Sequence, residues 1–372
     1  MLAPQRHLFS IPDDVTYLNC AYLGPQLRAV TEAGLAAVRE KEQPWRLTPD
    51  RFFSGSEDLR AGFANLLGAD VEGVAFVPSV SYGVGVAVAN LPLGGRAVLL
   101  LADDFPSDVY PWSGAADGNV VTVERPADHD WTAAILDRLD ASVGVVAVPH
   151  VHWTDGGLVD LVRVGAKARE VGAALVVDAT QSLGALPFDV AAVQPDFLVA
   201  AGYKWLLGPY ALGYLWVAPQ HRDGVPLEQN WIGREASDDF ARLIDYRDRY
   251  QPGARRYDMG ERSNFVLVPQ ARAALAQLTE WGVPEIAETI AGLTSYLSIG
   301  AEKIGLETAP EHLRGPHLMG IRFPGGLPDG VAESLAAQRI YVSIRGDSVR
   351  VSPHVYNTTA DCDRLLAALA QG

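Results

Sequence analysis

Lysine is scarce in this chain of 372 residues: Lys41, Lys167, Lys204 and Lys303 stand against 26 arginines. Cysteine is scarcer still. Cys20 and Cys362 are too few for a disulfide framework or a thiolate metal cluster, so no metal is expected. Positive charge is in deficit, with 45 acidic against 30 basic residues, a net charge of −15 and a pI of about 4.9. That balance argues against nucleic acid or an anionic membrane as the main partner. No apolar run reaches membrane-spanning length, because Gly, Pro or a charge interrupts each one. The opening MLAPQRHLFSIPDD lacks the apolar core of a signal peptide, and the expected compartment is the cytoplasm. Internal repeats and low-complexity segments are also missing. What is present is a chain 48% hydrophobic and long enough for two domains.

Residues 1–25 read as an extended arm. Helical spacing follows over Leu27–Glu42 and Asp50–Leu67, closed by Pro44 and Gly68. Then a rhythm begins. Short apolar strands at 74–77, 96–101, 120–123, 143–148, 174–178, 197–200 and 212–217 are expected. Helices from about Tyr82, Pro106, Trp131 and Leu158 separate the first five. Continuous apolar strands alternating with helices predict an α/β fold, a mostly parallel sheet covered on both faces. Residues 219–262, rich in Arg, Asp, Gly and Trp, read as a long loop region. Two long helices over Ser263–Ile304 follow. A small α+β unit closes the chain, with strands at 317–323, 340–344 and 349–352 and helices at 331–338 and 359–370.

In open parallel sheets, ligands gather beyond the carboxyl ends of the strands. Ser79-Val80-Ser81 follows the first strand and leads into a helix, whose free N–H groups suit a phosphate, although Ser there is ordinarily just a cap. Phe105, after the second strand, can cover a flat ring or simply pack. His150 and His152 stand two apart with no third ligand to support a metal. Asp178 closes an apolar strand, where a carboxylate is costly unless it meets a cation; capping a turn is its plainer role. Lys204 lies between Tyr203 and Trp205 in GYKWLLGP. Burial there should lower its pKa and make it a nucleophile for carbonyls, whereas a lysine that only buries its stem would stay charged in water. An anion cradle, a stacking aromatic, a carboxylate for a ring nitrogen and a buried amine, each at a strand end, are together what pyridoxal 5′-phosphate needs.

These residues carry a resemblance over nearly the whole length, from YLNCAYLGP to RVSPHVYNTTADCDRL, through SVSYG, DDFPSDVYPW, VHWTDG, VVDATQSLGAL and GYKWLLGP. The chain resembles the aminotransferase class V group of fold-type I pyridoxal-phosphate enzymes, which includes cysteine desulfurases, selenocysteine lyases, kynureninases and isopenicillin N epimerase. The resemblance implies a large cofactor-binding domain over 26–260 with a mostly parallel seven-stranded sheet. It implies a small C-terminal α+β domain over 261–372, on which the arm 1–25 packs. Lys204 would be the Schiff-base lysine and move the proton at the substrate Cα, and Asp178 would pair with the ring nitrogen. Gln181 would contact the ring 3-oxygen, Phe105 would stack, and Val80 and Ser81 would form the phosphate turn. Asp108 lies in the kynureninase-like FPSD stretch, and Tyr203 would touch the phosphate. Trp231 and Asn264 resemble residues that reach the cofactor from a partner subunit, which implies a homodimer. Arg350 would grip the α-carboxylate of a small amino acid substrate.

Departures from the family pattern narrow the chemistry. Desulfurases carry a reactive cysteine ahead of that arginine, and Tyr341–Val349 has none. The asparagine that many members place near the ring is replaced around Trp153-Thr154. Trp153, Tyr22 and His152 could line a substrate pocket or simply pack. An aminotransferase-like activity is the leading expectation, with a kynureninase-type or carbon–sulfur lyase, or an epimerase, as alternatives. A dehydrogenase is set aside, because PSVSYGVG lacks the spacing of a G-x-G-x-x-G turn.

Overall fold

The computed structural model describes residues 1–371; Gly372, the last residue of the expected small domain, lies outside the described residues. The arm carries β1 (Thr16–Tyr17) and leads into α1 (Arg28–Glu40) and α2 (Ser54–Leu67). The alternating part follows as β2 (Val74–Val77), α3 (Val80–Asn90), β3 (Ala97–Leu101), α4 (Pro106–Ala115), β4 (Val120–Val123) and α5 (Trp131–Arg138). It continues with β5 (Val143–Pro149), α6 (Leu161–Val171), β6 (Ala174–Asp178), α7 (Val190–Val193), β7 (Phe197–Ala201) and β8 (Gly213–Val217). The last third contains α8 (Leu267–Trp281), α9 (Val283–Lys303), β9 (Glu307–Thr308), β10 (Met319–Arg322) and α10 (Val331–Ala337). It ends with β11 (Ile340–Tyr341), β12 (Ser343–Arg345), β13 (Ser348–Val351) and α11 (Thr359–Leu369).

The large sheet has the order β2-β8-β7-β6-β5-β3-β4. Only β8 runs against its neighbours, so the remaining strands deliver their carboxyl ends to one edge of the sheet. β2, β3, β5, β7 and β8 are buried along their whole length because both faces are covered, whereas the edge strand β4 is partly exposed. Ala75 and Val77 of β2 face one core with α3 and α4, while Val74 and Phe76 face the other with α2, α5, α6 and α8. The chain steps outward from β3 to β4, then returns through β5 towards β8. That reversal opens the crevice where α/β proteins bind ligands.

The C-terminal sheet, β12-β13-β10-β9, is antiparallel and packs its own core, which includes Leu297, Ile321, Val351 and Leu365. Leu18 of the arm joins this core, and β1 pairs in parallel with β11. The expected single strand over 340–344 is in fact two, because Ile340–Tyr341 bonds to the arm and Ser343–Arg345 bonds to β13. β9 is absent from the sequence expectation, being two residues long. The helix expected from Leu158 starts at Leu161, where Asp160 caps it by accepting from the Arg163 N–H.

The segment 219–262 has only short 3-10 turns, yet it is clamped. Asp258, fully buried, accepts from Arg60 at 2.7 Å and from the Phe76 N–H of β2 at 2.7 Å. Glu57 takes Arg255 at 2.8 Å and Arg262 at 2.6 Å, and Arg60, followed by these two guanidinium groups, holds its carboxyl down at about 2 against the opposing effect of burial. Among the described residues no helix is long and apolar enough to cross a membrane.

Candidate active site

Two adjoining cavities open at the carboxyl edge of the large sheet. The first, about 290 Å³, is walled by Ser79–Ser81 after β2, Phe105 after β3, Trp153 after β5, Asp178 and Gln181 at β6, and Tyr203 and Lys204 after β7. The second, about 430 Å³, is bounded by the arm residues Ala21–Leu23 and by Arg345 and Arg350 of the C-terminal sheet. Phe105, Trp153, Tyr203, Lys204 and Tyr210 line both. One amine therefore stands where the two spaces meet.

The turn that presents Lys204 is rigid. Leu207 N–H donates to the Lys204 carbonyl at 3.0 Å and Gly208 N–H to the Gly202 carbonyl at 2.8 Å. Leu207 and Ala211 adopt left-handed backbone, φ 52° and 63°, which costs a residue with a Cβ on the order of 1 kcal/mol. Trp205, fully buried beside the lysine, donates to Gln181 Oε1 at 2.9 Å. The arm closes the turn from outside, with Gly24 N–H on the Tyr203 carbonyl at 3.0 Å.

Lys204 is buried and its Nζ has no hydrogen bond or ion pair among the described residues. It lies 5.5 Å from the Phe105 ring centre and 5.9 Å from that of Tyr203. Burial brings its pKa down to about 8, and Arg350 pushes the same way while Asp178 opposes it. A useful fraction of neutral amine near neutral pH follows. Asp178, the last residue of β6, accepts the Thr180 N–H with Oδ1 at 2.8 Å, and the Asp108 carboxyl lies beside it.

Behind it lie two more acids. Asp104 is pushed up to about 8 and Asp108 well above the carboxylate range, both first by burial and then by the charge of Asp178. Ser79 caps α3, its Oγ accepting from Tyr82 N–H at 3.2 Å. The N–H groups of Val80 and Ser81, in the first turn, have no intrahelical acceptor.

Arg350 is fully buried on β13 with neutral partners only: the Trp153 carbonyl at 2.7 Å and Ser343 Oγ at 3.4 Å, with Nε unpaired. Burial, followed by Arg345, lowers its pKa to about 9. A guanidinium held this way is poised for an anion.

The structure thus brings together Val80, Ser81, Phe105, Asp178, Gln181, Tyr203, Lys204 and Arg350. Three of the expected residues are not in the walls of this chain's cavities; two of them, Trp231 and Asn264, are expected at a partner subunit's cofactor. Asp108 sits in the first turn of α4, both oxygens unpaired, behind the first cavity rather than in its wall. Trp231 packs with Phe52, Phe53 and Phe240. Asn264 caps α8, accepting from Val266 and Leu267 N–H at 3.1 and 2.9 Å. Neither Trp231 nor Asn264 reaches the cavities of its own chain.

Gln181 is in place, but its carbonyl holds Trp205 and its amide donates to the Ala21 carbonyl at 3.1 Å. His152 stacks on Trp131 at 5.0 Å instead of lining a pocket, whereas Trp153 and Tyr22 do line one. Tyr210, Ser107, Thr180 and Arg345 are wall residues that the sequence reading missed. Arg345 lies in the same hairpin as Arg350, but nothing in its own run RGDS marks it as facing a cavity.

A family model for aminotransferase class-V matches residues 48–365. The chain is similar to an uncharacterized aminotransferase, YcbU, of Bacillus subtilis, 29% identical over 85% of this chain and 83% of that protein. It is 34% identical to a kynureninase of Deinococcus radiodurans over 70% of this chain, and the match spans 64% of the relative's length, less than two thirds. An isopenicillin N epimerase of Amycolatopsis lactamdurans is 27% identical over 99% of this chain and 98% of that protein. Among solved structures, a cystine C–S lyase, C-DES, crystallised as a lysine-to-alanine variant with glycine linked to its pyridoxal-phosphate cofactor, superposes with a TM-score of 0.86 at 19% identity, covering 99% of both chains. An apo cysteine desulfurase of Thermococcus onnurineus gives 0.83 at 19%, covering 100% of this chain and 98% of that one. This chain belongs to the aminotransferase class-V family and has the fold of the fold-type I pyridoxal-phosphate enzymes.

Proposed function

We propose that this protein is a pyridoxal-phosphate enzyme of the aminotransferase type acting on a small amino acid. The observation that carries the reading is the Lys204 amine, without a partner among the described residues, at the junction of two cavities, one with Asp178 and a free helix N-terminus, the other with Arg350, whose partners are neutral. The residues of the first cavity fit the group. Lys204 would hold its aldehyde, Asp178 its ring nitrogen, Phe105 the ring face, and the Val80 and Ser81 N–H groups its phosphate. When bound, the group supplies an electron sink for negative charge at the substrate Cα.

The chain's own residues do the rest. Arg350 fixes the α-carboxylate, which orients the substrate's Cα towards Lys204. The lysine, with a pKa near 8, takes the Cα proton as general base and returns it as general acid. Trp153 keeps both steps aligned, because its carbonyl holds Arg350 while its ring stands edge-on to Phe105 at 5.6 Å.

A lyase of the kynureninase type is the second reading, favoured by the aromatic walls Tyr22, Trp153 and Tyr210 of the second cavity. A desulfurase is disfavoured, since both cysteines are buried and burial raises their thiol pKa values. Trp231 and Asn264 lie outside their own chain's cavities and, in our reading, complete the site of a second copy. The exposed Ile244 and Tyr246 on the same segment are consistent with a homodimer. The acidic surface and the buried, reduced cysteines suit the cytoplasm.

Reconstitution with the cofactor tests the core of this. Wild type is expected to develop an absorbance band at the edge of the visible that borohydride fixes onto Lys204, and Lys204→Ala to show none. A wild-type protein that takes up no cofactor ends the proposal. Product analysis across an amino acid panel then separates transamination, read as keto acid and aminated cofactor, from elimination or epimerisation.

A further inference from the structure

The second cavity has more positive charge than an amino acid with a single carboxylate can use. Its walls include Lys204, Arg345 and Arg350 and no aspartate or glutamate. Arg345 is half-buried and spends its guanidinium poorly. Its Nη1 donates to the carbonyl of its own neighbour Ile344 at 2.7 Å, and its buried Nε has no partner. Its guanidinium carbon lies 5.4 Å from the Trp153 ring centre. Asp347, two residues on, is the nearest acid in sequence, but it pairs with Arg322 at 3.4 Å.

The hairpin register explains the geometry. Ser343 of β12 lies opposite Arg350 of β13, and Arg345, two residues beyond Ser343, shares its face. The two arginines are therefore diagonal neighbours, with backbones roughly 7–8 Å apart. Two carboxylates of one short amino acid span a comparable gap once the long side chains converge.

We propose that Arg345 binds a second carboxylate of the substrate, so that the amino acid this site accepts is acidic. The inference rests on the functional reading above. Arg350 takes the α-carboxylate and Arg345 the distal one, leaving Lys204 as the cation that reacts. Trp153 packs beside the guanidinium of Arg345, and both line the same cavity.

The test uses the cofactor-loaded protein and reads dissociation constants from calorimetry and from the change in the absorbance band, with no turnover needed. The ligands are L-aspartate and L-glutamate, their neutral isosteres L-asparagine and L-glutamine, and L-phenylalanine. Wild type should bind each acid about tenfold more tightly than its amide, the size expected for a charge-assisted contact at a half-exposed group. In Arg345→Gln that ratio should fall towards one, and Arg345→Lys should restore part of it. Melting curves for both variants check that they fold. Equal affinities for acid and amide in wild type, or an unchanged ratio in Arg345→Gln, overturn the assignment while leaving the cofactor reading intact. Tighter binding of phenylalanine than of either acid overturns it in favour of an aromatic substrate. Failure of wild type to form the band at all sinks the parent reading and this one with it.

Discussion

Replacing Arg350 with methionine is expected to stabilise the substrate-free protein while abolishing its grip on carboxylates. The guanidinium is fully buried with no anion beside it among the described residues, and burial, followed by Arg345, brings its pKa well down, to about 9. At about 1.36 kcal/mol per decade, keeping it charged costs on the order of 5 kcal/mol. Methionine removes that cost and fills much of the same space. Against the gain stands the Trp153 carbonyl, which loses its donor and is left buried at a cost of about 1–3 kcal/mol. Ser343 Oγ is not orphaned, because it still donates to Asn19 Oδ1 at 2.8 Å. The balance is a net stabilisation of about 2–4 kcal/mol. Differential scanning calorimetry of the cofactor-loaded protein should show the variant melting a few degrees above wild type. Adding an amino acid should raise the wild-type melting temperature and leave that of Arg350→Met unmoved. A variant that melts several degrees below wild type without ligand would refute the reasoning, since the guanidinium would then be satisfied by something other than substrate.

The arm and the buried histidines make two further cases. A methyl group on Gly24 would sit 2.2 Å from the Lys204 carbonyl oxygen, so Gly24→Ala must push the arm off the lysine turn; cofactor affinity should drop at least tenfold, measured by equilibrium dialysis. Burial holds His150 and His152 at about 4, and His317 and His354 at about 3, against an ordinary 6.5. Their neutral forms belong to the folded state. The stability they contribute is therefore complete above pH 6.5 and is lost as pH falls from there towards 4 and 3. Asp104 and Asp108, with raised values, act in the opposite sense over the same range. The clean readout is thus a difference: His354→Phe should flatten the pH dependence of unfolding free energy by about 1.4 kcal/mol per pH unit between pH 6 and 4. Parallel curves for variant and wild type would mean that His354 is protonated in the fold.

Much of the architecture was legible because two-sided burial forces continuous apolar strands. VAFV at 74–77, VVTV at 120–123 and ALVVD at 174–178 were located to the residue, and β3 and β7 to within one. Lys204 was legible for a similar reason: an amine among Tyr, Trp and Leu in a chain with four lysines has few plain explanations. Arg345 was not, because one charge in the hydrophilic run RGDS looks like any surface arginine; only the hairpin register turns it inward beside Arg350. The split of 340–344 was hidden too, since Ile340–Tyr341 takes its partner from the arm at the other end of the chain while Ser343–Arg345 pairs within its own hairpin. For Trp231 and Asn264, local packing and a helix cap account for what the single chain displays.

The amino acid order alone determined which side chains stand at strand ends, because hydrophobic periodicity and the direction of a parallel sheet are local consequences of composition. It also determined that one amine, one acid and one helix start would face the same edge. Which acids crowd behind Asp178, which carbonyl holds Arg350, and whether a cation meets an anion or an empty space were decided only by the folded chain. Those matters depend on distances between segments far apart in sequence, where burial and Coulomb interactions act and periodicity carries no information.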